Sequence, residues 1–221
     1  MKFSDEEIYE VESVLLGDNH FNESQQKFLN LFNDSMIVAG PGAGKTTTLS
    51  AKIALILKRI NQGNTDETIC IITHTNVAVD EIKAVLNELG IMIERPHFIG
   101  TIHSFLNTFC VEPYFRNQIG VVDLVFLDSE DYERLNNNYF SNELAKRRPY
   151  LKRDIFRKVL DRLMKSYLEL DDSRKIIVKN KDDWEKLSNY SDDFRYILKK
   201  RKAEGILTMD DSFFFADMFL N

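Results

Sequence analysis

A glycine-rich segment, Ala39-Gly40-Pro41-Gly42-Ala43-Gly44-Lys45-Thr46, carries the residue types best suited to bind phosphate. Glycines let the backbone curl so that several amide N–H groups face one point, and a following helix N-terminus adds its positive dipole end. In such a loop Lys45 would reach the β- and γ-phosphates, Thr46 would offer a hydroxyl to Mg²⁺, and Thr47 would add a further hydroxyl contact. The predicted nucleotide contacts are Gly40, Pro41, Gly42, Ala43, Gly44, Lys45, Thr46 and Thr47, with Lys45 and Thr46 in the catalytic roles and Thr46 as the metal ligand.

The elements on either side of this loop decide whether it binds phosphate. Met36 to Ala39 is an apolar run that predicts a buried strand, and residues 45 to about 59 have the pattern of a helix. Strand, glycine-rich loop and helix in this order are the context that a Walker A sequence requires. Its consensus begins with Gly, whereas this chain has Ala39. The structural alternative is a glycine-rich turn with an incidental lysine, but packing gives no reason for Gly-Lys followed by three threonines.

The rest of the first half alternates short apolar runs with amphipathic patterns, as βαβ units do. Strands are predicted at 69–73 and 97–101, with a helix at about 78–89 that Gly90 closes. From about 128 to 202 the pattern is helical. Two sets of apolar side chains recur there at helical spacing: Ile155, Val159 and Leu163, with Phe156, Leu160 and Met164 beside them.

Composition limits the class of protein. The chain has 221 residues, 43% of them hydrophobic, which is enough for one substantial core or for one core with a smaller helical subdomain. It contains neither an apolar run of about 18 residues nor the layout of a signal peptide, so we expect a cytoplasmic protein with no membrane partner. Cys70 lies in an apolar run, where packing is the simplest explanation, and neither a disulfide with Cys110 nor a zinc site is expected.

The formal charge of −6 is unusual for a protein that binds nucleic acid, so a local basic face would have to supply phosphate contacts. Two basic clusters are available: Lys146-Arg147-Arg148 with Lys152-Arg153, and Lys199-Lys200-Arg201-Lys202. Runs of charge are more often solvated helix faces than binding sites. Each cluster is therefore weak evidence by itself.

Three further segments, together with the loop, resemble UvrD/Rep-type helicases of superfamily 1. Residues 21–28, Phe-Asn-Glu-Ser-Gln-Gln-Lys-Phe, resemble the Q motif, with Gln25 in the place of the glutamine that reads adenine. Residues 73–81 resemble motif Ia, usually Thr-Phe-Thr-Asn-x-Ala-Ala, although His74 replaces the aromatic residue. Residues 100–105 resemble motif Ib, which is Gly-Thr-x-His in this family.

The resemblance implies which side chains contact single-stranded DNA. These are Thr73, His74, Thr75, Asn76, Thr101 and His103. An imidazole stacks on a base less strongly than a phenyl ring, so His74 weakens the stacking expectation, whereas the phosphate contacts of Thr75 and Asn76 are unaffected. Asn76 is also a candidate helix cap.

The resemblance also implies an α/β fold: a P-loop NTPase (RecA-like) parallel sheet with helices on both faces, plus an all-helical inserted subdomain. The expected division is an incomplete RecA-like ATP-binding domain 1A at 1–120, a helical subdomain like 1B at 121–204, and a return segment at 205–221. Residues 124–130 imitate a Walker B strand that ends at Asp128, but they resemble the start of the helical subdomain, with Asp128 or Ser129 as an N-cap. The Gly-x-x-Thr-x-Asp-Asp sequence at 205–211 resembles the segment before the family's Walker B motif.

We therefore expect the front part of an ATP-dependent DNA helicase that translocates on single-stranded DNA. ATP and Mg²⁺ are the expected cofactors; single-stranded or partially duplex DNA and the helicase domains 2A and 2B are the expected partners. The Walker B sequence Asp-Glu-x-Gln does not occur in these 221 residues, so we expect weak ATP binding without efficient hydrolysis. The alternatives are a P-loop kinase-like enzyme that uses Asp128, and a non-catalytic protein that binds nucleotide or DNA.

Overall fold

The structure is a computed structural model, and it describes residues 2–63, 67–127, 129–182 and 189–221. It divides into two compact units, Met1–Ile102 and His103–Asn221. Both contain helices and short strands, which makes the protein a mixed α/β protein. The predicted boundaries at 120 and 204 stay predictions.

The first unit combines four helices with one pair of strands. Its elements in chain order are α1 (Asp5–Leu15), α2 (Glu23–Leu29), α3 (Lys45–Gly63), β1 (Cys70–Thr73), α4 (Asn76–Glu88) and β2 (Phe98–Thr101). β1 and β2 are parallel, with Cys70 opposite Phe98 and Thr73 opposite Thr101. Because parallel strands need a crossover connection, α4 joins them, as the alternating pattern predicted.

Two apolar clusters hold the first unit together, and α3 contributes to both. One side of α3 packs Ile53, Ala54 and Leu57 against α4 and Ile99 of β2. Another side packs Ala51 and Leu55 against α1 and α2. The helix that follows the glycine-rich loop is therefore fixed on two sides.

Several predictions for this unit need correction. Met36 to Ala39 forms no strand: the segment has no regular secondary structure, and the side chains of Met36 and Val38 are 91% and 89% exposed. A strand is buried only if neighbouring segments flank it. In this unit β1 pairs with β2 and not with residues 36–39. Cys70 is exposed, not packed, and the predicted helix after the loop continues to Gly63.

The second unit contains more helix, but it is not all-helical beyond residue 120. After α5 (Ile102–Leu106), a continuous helical stretch includes two wide π-helical turns, Asn107–Val111 and Phe115–Ile119, separated by α6 (Glu112–Tyr114). The remaining elements are β3 (Val125–Leu127), α7 (Ser129–Arg147), α8 (Arg153–Met164), β4 (Ser166–Leu170), β5 (Ile176–Asn180), α9 (Ser191–Ala203), β6 (Ile206–Thr208) and α10 (Met209–Leu220).

One strand pair interrupts the predicted helical region, and a second lies at its borders. β4 and β5 form an antiparallel hairpin, with Ser166 opposite Asn180, inside the range predicted to be helical. Alternating side chains of β4 are buried, and Leu168 joins the core formed by α7, α8 and α9. β3 and β6 pair in parallel, with Leu127 opposite Thr208. The prediction of an all-helical subdomain is therefore wrong in this region.

The α8 pattern is confirmed in part. Val159 and Leu163 are buried in the core, and Phe156, Leu160 and Met164 pack against it. Ile155 is 43% exposed. It lies in the first turn of α8, where fewer neighbours cover the helix.

Most cations of the predicted basic clusters form ion pairs within this unit. Arg147 and Arg148 both bind Asp193, through N–O distances of 2.7 Å in each case. Lys146 and Lys200 both bind Glu143, at 2.6 and 2.7 Å. These four cations are held by buried carboxylates, which supports the structural interpretation of the clusters.

A second network is buried between α9 and α10. Asp211 accepts hydrogen bonds from Arg201 and from the backbone N–H of Thr208, and Lys202 lies 2.8 Å from it. Asn136 of α7 accepts a further hydrogen bond from Arg201 at 2.9 Å. Burial raises the pKa of the Asp211 carboxyl, but the charges of Lys202 and Arg201 outweigh that effect and hold the pKa below its usual value.

Candidate functional site

The glycine-rich loop has the backbone geometry expected of a phosphate loop. Gly42 and Gly44 have φ values of +72° and +70°, in the left-handed region that glycine adopts readily. α3 begins at Lys45, and Thr48 N–H donates to the Gly44 carbonyl at 2.9 Å. The backbone N–H groups in the first turn of α3 have no carbonyl acceptor within the helix, so they are available to an anion.

Lys45 is exposed and its ammonium folds back over the loop. It donates to the carbonyl oxygens of Ala39 and Gly40, at 3.0 and 2.7 Å. Carbonyl oxygens are weaker partners for an ammonium than phosphate oxygens would be. Thr46 is exposed and Thr47 half-buried on the first turn of α3, which is where a hydroxyl ligand for a phosphate-bound Mg²⁺ would be needed.

Gln25 is held against the loop by a capping box at the start of α2. Asn22 Oδ1 accepts from the Gln25 N–H at 3.0 Å, and Gln25 Oε1 accepts from the Asn22 N–H at 2.9 Å. This pairing fixes the side-chain amide, because the oxygen must face the Asn22 N–H. Gln25 Nε2 then donates to the Ala43 carbonyl at 3.4 Å.

A cavity of about 520 Å³ is lined by α2, the segment before the loop, and the start of α3. Polar groups of Gln25 and Lys45 meet there with apolar side chains. Its lining includes Phe28, Ile37, Val38, Ala39, Ala43, Thr48 and Leu49. An apolar wall beside a few polar groups and a phosphate-type loop suits a nucleobase with an attached phosphate chain.

Two of these residues were missed at the sequence level although signals for them exist. Asn22 stands three residues before Gln25, which is the spacing of a capping box. Phe28 stands three residues after Gln25, so both lie on one face of a helix. Both signals are local.

Five of the six side chains predicted to contact DNA lie at the ends of β1 and β2 or just beyond them. The parallel register sets Thr73 opposite Thr101, so motifs Ia and Ib begin at one edge of the strand pair. Thr73 Oγ1 donates to the Thr75 carbonyl at 3.0 Å, and His74 and Asn76 are exposed. Open α/β sheets bind ligands at this carboxyl edge.

The cap of α4 is Thr75, and the prediction that assigned it to Asn76 is wrong. Thr75 Oγ1 accepts from the Ala78 N–H at 3.2 Å, so α4 begins at Asn76, two residues earlier than predicted. Asn76 is left as an exposed side chain in the first turn. Capping therefore does not occupy its amide.

His103 belongs to the second unit. Its ring packs edge-on against Phe213 of α10, with centroids 5.0 Å apart and an interplanar angle of 75°. Phe213 is 50% exposed. Asp128, the carboxylate of the kinase-like alternative and a predicted cap, lies outside the described residues.

Within the described residues, no three His, Cys, Asp or Glu side chains come together as a metal site. No helix in the described part of the chain has the length and apolar character to cross a membrane.

A glycine-rich loop at the start of a long helix, beside a cavity of about 520 Å³, is a feature of P-loop nucleotide-binding proteins, but the strand that precedes the loop in that class is absent at residues 36–39 here. Residues 21–219 match the UvrD/REP helicase N-terminal domain, and the chain belongs to that family.

Two relatives show similarity over about half of the chain. Gabija protein GajB of Bacillus cereus strain VD045 is 29% identical over 123 residues, 55% of this chain and 22% of that protein. A probable DNA helicase II homolog of Mycoplasma capricolum is 31% identical over 108 residues, 48% of this chain and 14% of that protein. The matched regions thus cover less than a quarter of either relative. No solved structure matches the chain significantly.

Proposed function

We propose that this chain is the ATP-binding N-terminal part of an ATP-dependent DNA helicase that translocates on single-stranded DNA. The observation that carries the proposal is the meeting of Gln25, the glycine-rich loop and Lys45 around one cavity. Membership of the UvrD/REP family supports it. In the proposed fold the first unit is a RecA-like domain.

In the proposed complex, ATP places its base against the apolar wall near Phe28 and its phosphates on the loop. Lys45 exchanges the Ala39 and Gly40 carbonyls for phosphate oxygens, and Thr46 holds Mg²⁺. When bound, Mg²⁺ neutralises charge on the β- and γ-phosphates. Gln25 presents its Nε2 donor towards an adenine acceptor while the Asn22 N–H holds its oxygen.

For DNA we propose contacts from Thr73, His74, Thr75, Asn76, Thr101 and His103. Hydroxyl and amide groups at the carboxyl edge of β1 and β2 suit phosphate and sugar contacts. The imidazoles of His74 and His103 offer flat faces for a base. Unwinding and efficient hydrolysis are proposed for the complete helicase, whereas these 221 residues bind ATP with little turnover.

Calorimetry of ATP binding tests the proposal, with and without Mg²⁺ and with an added single-stranded oligonucleotide. We expect Mg²⁺-dependent binding that Lys45→Ala weakens at least about tenfold, since a charge-assisted contact to phosphate is lost. Lys58→Ala is the matched control, because Lys58 lies on the same helix and pairs with Glu10, outside the cavity. Failure of the unmodified chain to bind ATP would contradict the proposal.

A further inference from the structure

Lys52 is a half-buried lysine on α3 that the proposed chemistry does not use. Its ammonium donates to the Phe28 carbonyl at 2.9 Å and to the Leu31 carbonyl. It also lies 4.5 Å from the ring centroid of Phe28 and 5.3 Å from that of Phe32. No ion pair joins it to a carboxylate of the described residues.

This environment is specific for a cation at the end of α2. A partly desolvated ammonium is costly unless oxygen atoms and aromatic faces accept it, and burial lowers the Lys52 pKa. The last carbonyls of a helix lack intrahelical donors and carry the negative end of its dipole. The Phe28 carbonyl accepts from the Leu31 N–H at 3.1 Å, and Lys52 supplies a second donor and a charge at the end of α2.

The two helices that Lys52 connects both line the proposed nucleotide cavity. α2 contributes Gln25 and Phe28, and α3 contributes Thr48 and Leu49 after Lys45 of the loop. The capping box of Asn22 fixes the start of α2, and Lys52 fixes its end. Apolar packing of Leu29 against Ala51 and Leu55 supports the same contact.

We propose that Lys52 is a positioning residue for nucleobase recognition, which holds Gln25 and Phe28 of α2 at a fixed place relative to the phosphate loop. It does not touch the nucleotide. The inference rests on the proposed ATP site. It predicts that loss of Lys52 weakens recognition of the base and leaves recognition of the phosphates intact.

The test compares binding of ATP, GTP and inorganic tripolyphosphate, each with Mg²⁺, to the wild-type chain and to Lys52→Met. Tripolyphosphate engages only the phosphate loop, so it reports on the part of the site that Lys52 does not position. We expect about a tenfold loss of ATP affinity, a smaller preference for ATP over GTP, and less than about a twofold change for tripolyphosphate. Lys52→Arg keeps the charge and the donors, and should recover most of the ATP affinity.

Lys58→Met is the matched control, since it removes a lysine from the same helix without touching α2. If Lys52→Met does not fold, as judged by circular dichroism, Lys52→Gln supplies the same comparison with an uncharged donor. An equal loss for ATP and tripolyphosphate, or unchanged ATP binding, overturns the role of Lys52 alone. Absence of ATP binding by the wild-type chain overturns the proposed function as well.

Discussion

At the scale of single residues, Gly44 is constrained both by the backbone conformation of the loop and by the position of the Gln25 side chain. Its φ is +70°, and a Cβ there would lie 2.9 Å from Gln25 Nε2. We expect Gly44→Ala to weaken ATP binding at least about tenfold, because the methyl group displaces the glutamine as well as straining the loop. Calorimetry on the folded variant measures this loss.

Gly90→Ala is the control for backbone strain. Gly90 also has a φ of +70°, but a Cβ there would meet nothing within 4 Å. Its substitution should lower the free energy of unfolding by about 1 kcal/mol and leave ATP affinity unchanged. ATP binding by Gly44→Ala as tight as that by Gly90→Ala would contradict the prediction for Gly44.

A second prediction at this scale concerns pH and the pair of Glu7 with Arg59. Hydrogen bonds from Arg59, both at 2.7 Å, lower the Glu7 pKa from 4.5 to about 2. A depressed folded-state pKa means that the stabilisation is complete above about pH 4.5 and disappears as the pH falls towards 2. Glu7 is partly exposed, so solvent screening limits the contribution to about 1 kcal/mol.

Urea unfolding of the wild-type chain and Glu7→Gln over this pH range checks the prediction. The free energies of unfolding should differ at pH 7 and converge as the pH approaches 2. Arg59→Gln should behave in the same way. A difference that stays constant with pH would mean that the pair is not the cause.

At the scale of elements, Asp211 connects β6, α9 and α10 through buried charges. Asp211→Asn would leave Arg201 and Lys202 without their counter-ion, so we expect a loss of about 3 kcal/mol or more in the free energy of unfolding. Asp210→Asn is the matched control, since the carboxylate of the adjacent Asp210 forms an exposed pair with Lys181 at 3.0 Å. That change should cost less than about 1 kcal/mol.

Chemical denaturation of the two variants measures the difference. Similar stability would mean that the α9 cations find other partners when Asp211 is neutral. The result also tests whether burial decides the cost of losing a carboxylate. The two aspartates are adjacent in the sequence but differ in burial. Asp211 is 2% exposed and Asp210 is exposed.

At the scale of the whole molecule, the net charge of −6 and the ion pairs of the basic clusters determine how DNA binding should respond to salt. Each phosphate neutralised by Lys or Arg contributes about −0.7 to the slope of log K against log salt for a single strand. The proposed DNA contacts are Thr, Asn and His side chains, whereas Arg147 and Arg148 are engaged by Asp193. We therefore expect a shallow slope, about −1 or less in magnitude.

Fluorescence anisotropy of a labelled oligonucleotide over a range of salt concentrations measures the slope. His74→Ala should weaken DNA binding without changing the slope. A slope of about −3 or steeper would show that the basic clusters bind phosphates despite their ion pairs.

Local features of the protein could be predicted from its sequence. The glycine-rich loop, the helix that begins at Lys45, the β1–α4–β2 unit and membership of the helicase family all follow from short-range patterns. Such patterns can be recognised in a sequence because each depends on residues that are close together along the chain, such as Lys45 and Thr46 of the glycine-rich segment. The roles assigned to the site residues stay predictions.

Features that depend on distant neighbours could not be predicted in this way. Met36 to Ala39 has a strand sequence but is unpaired, and the β4–β5 hairpin lies in a range with helical patterns. Six cations of the basic clusters look available in the sequence but are paired with Asp193, Glu143 and Asp211. Burial, strand pairing and ion pairing are set by which remote segments meet, and no local pattern of residues contains that information.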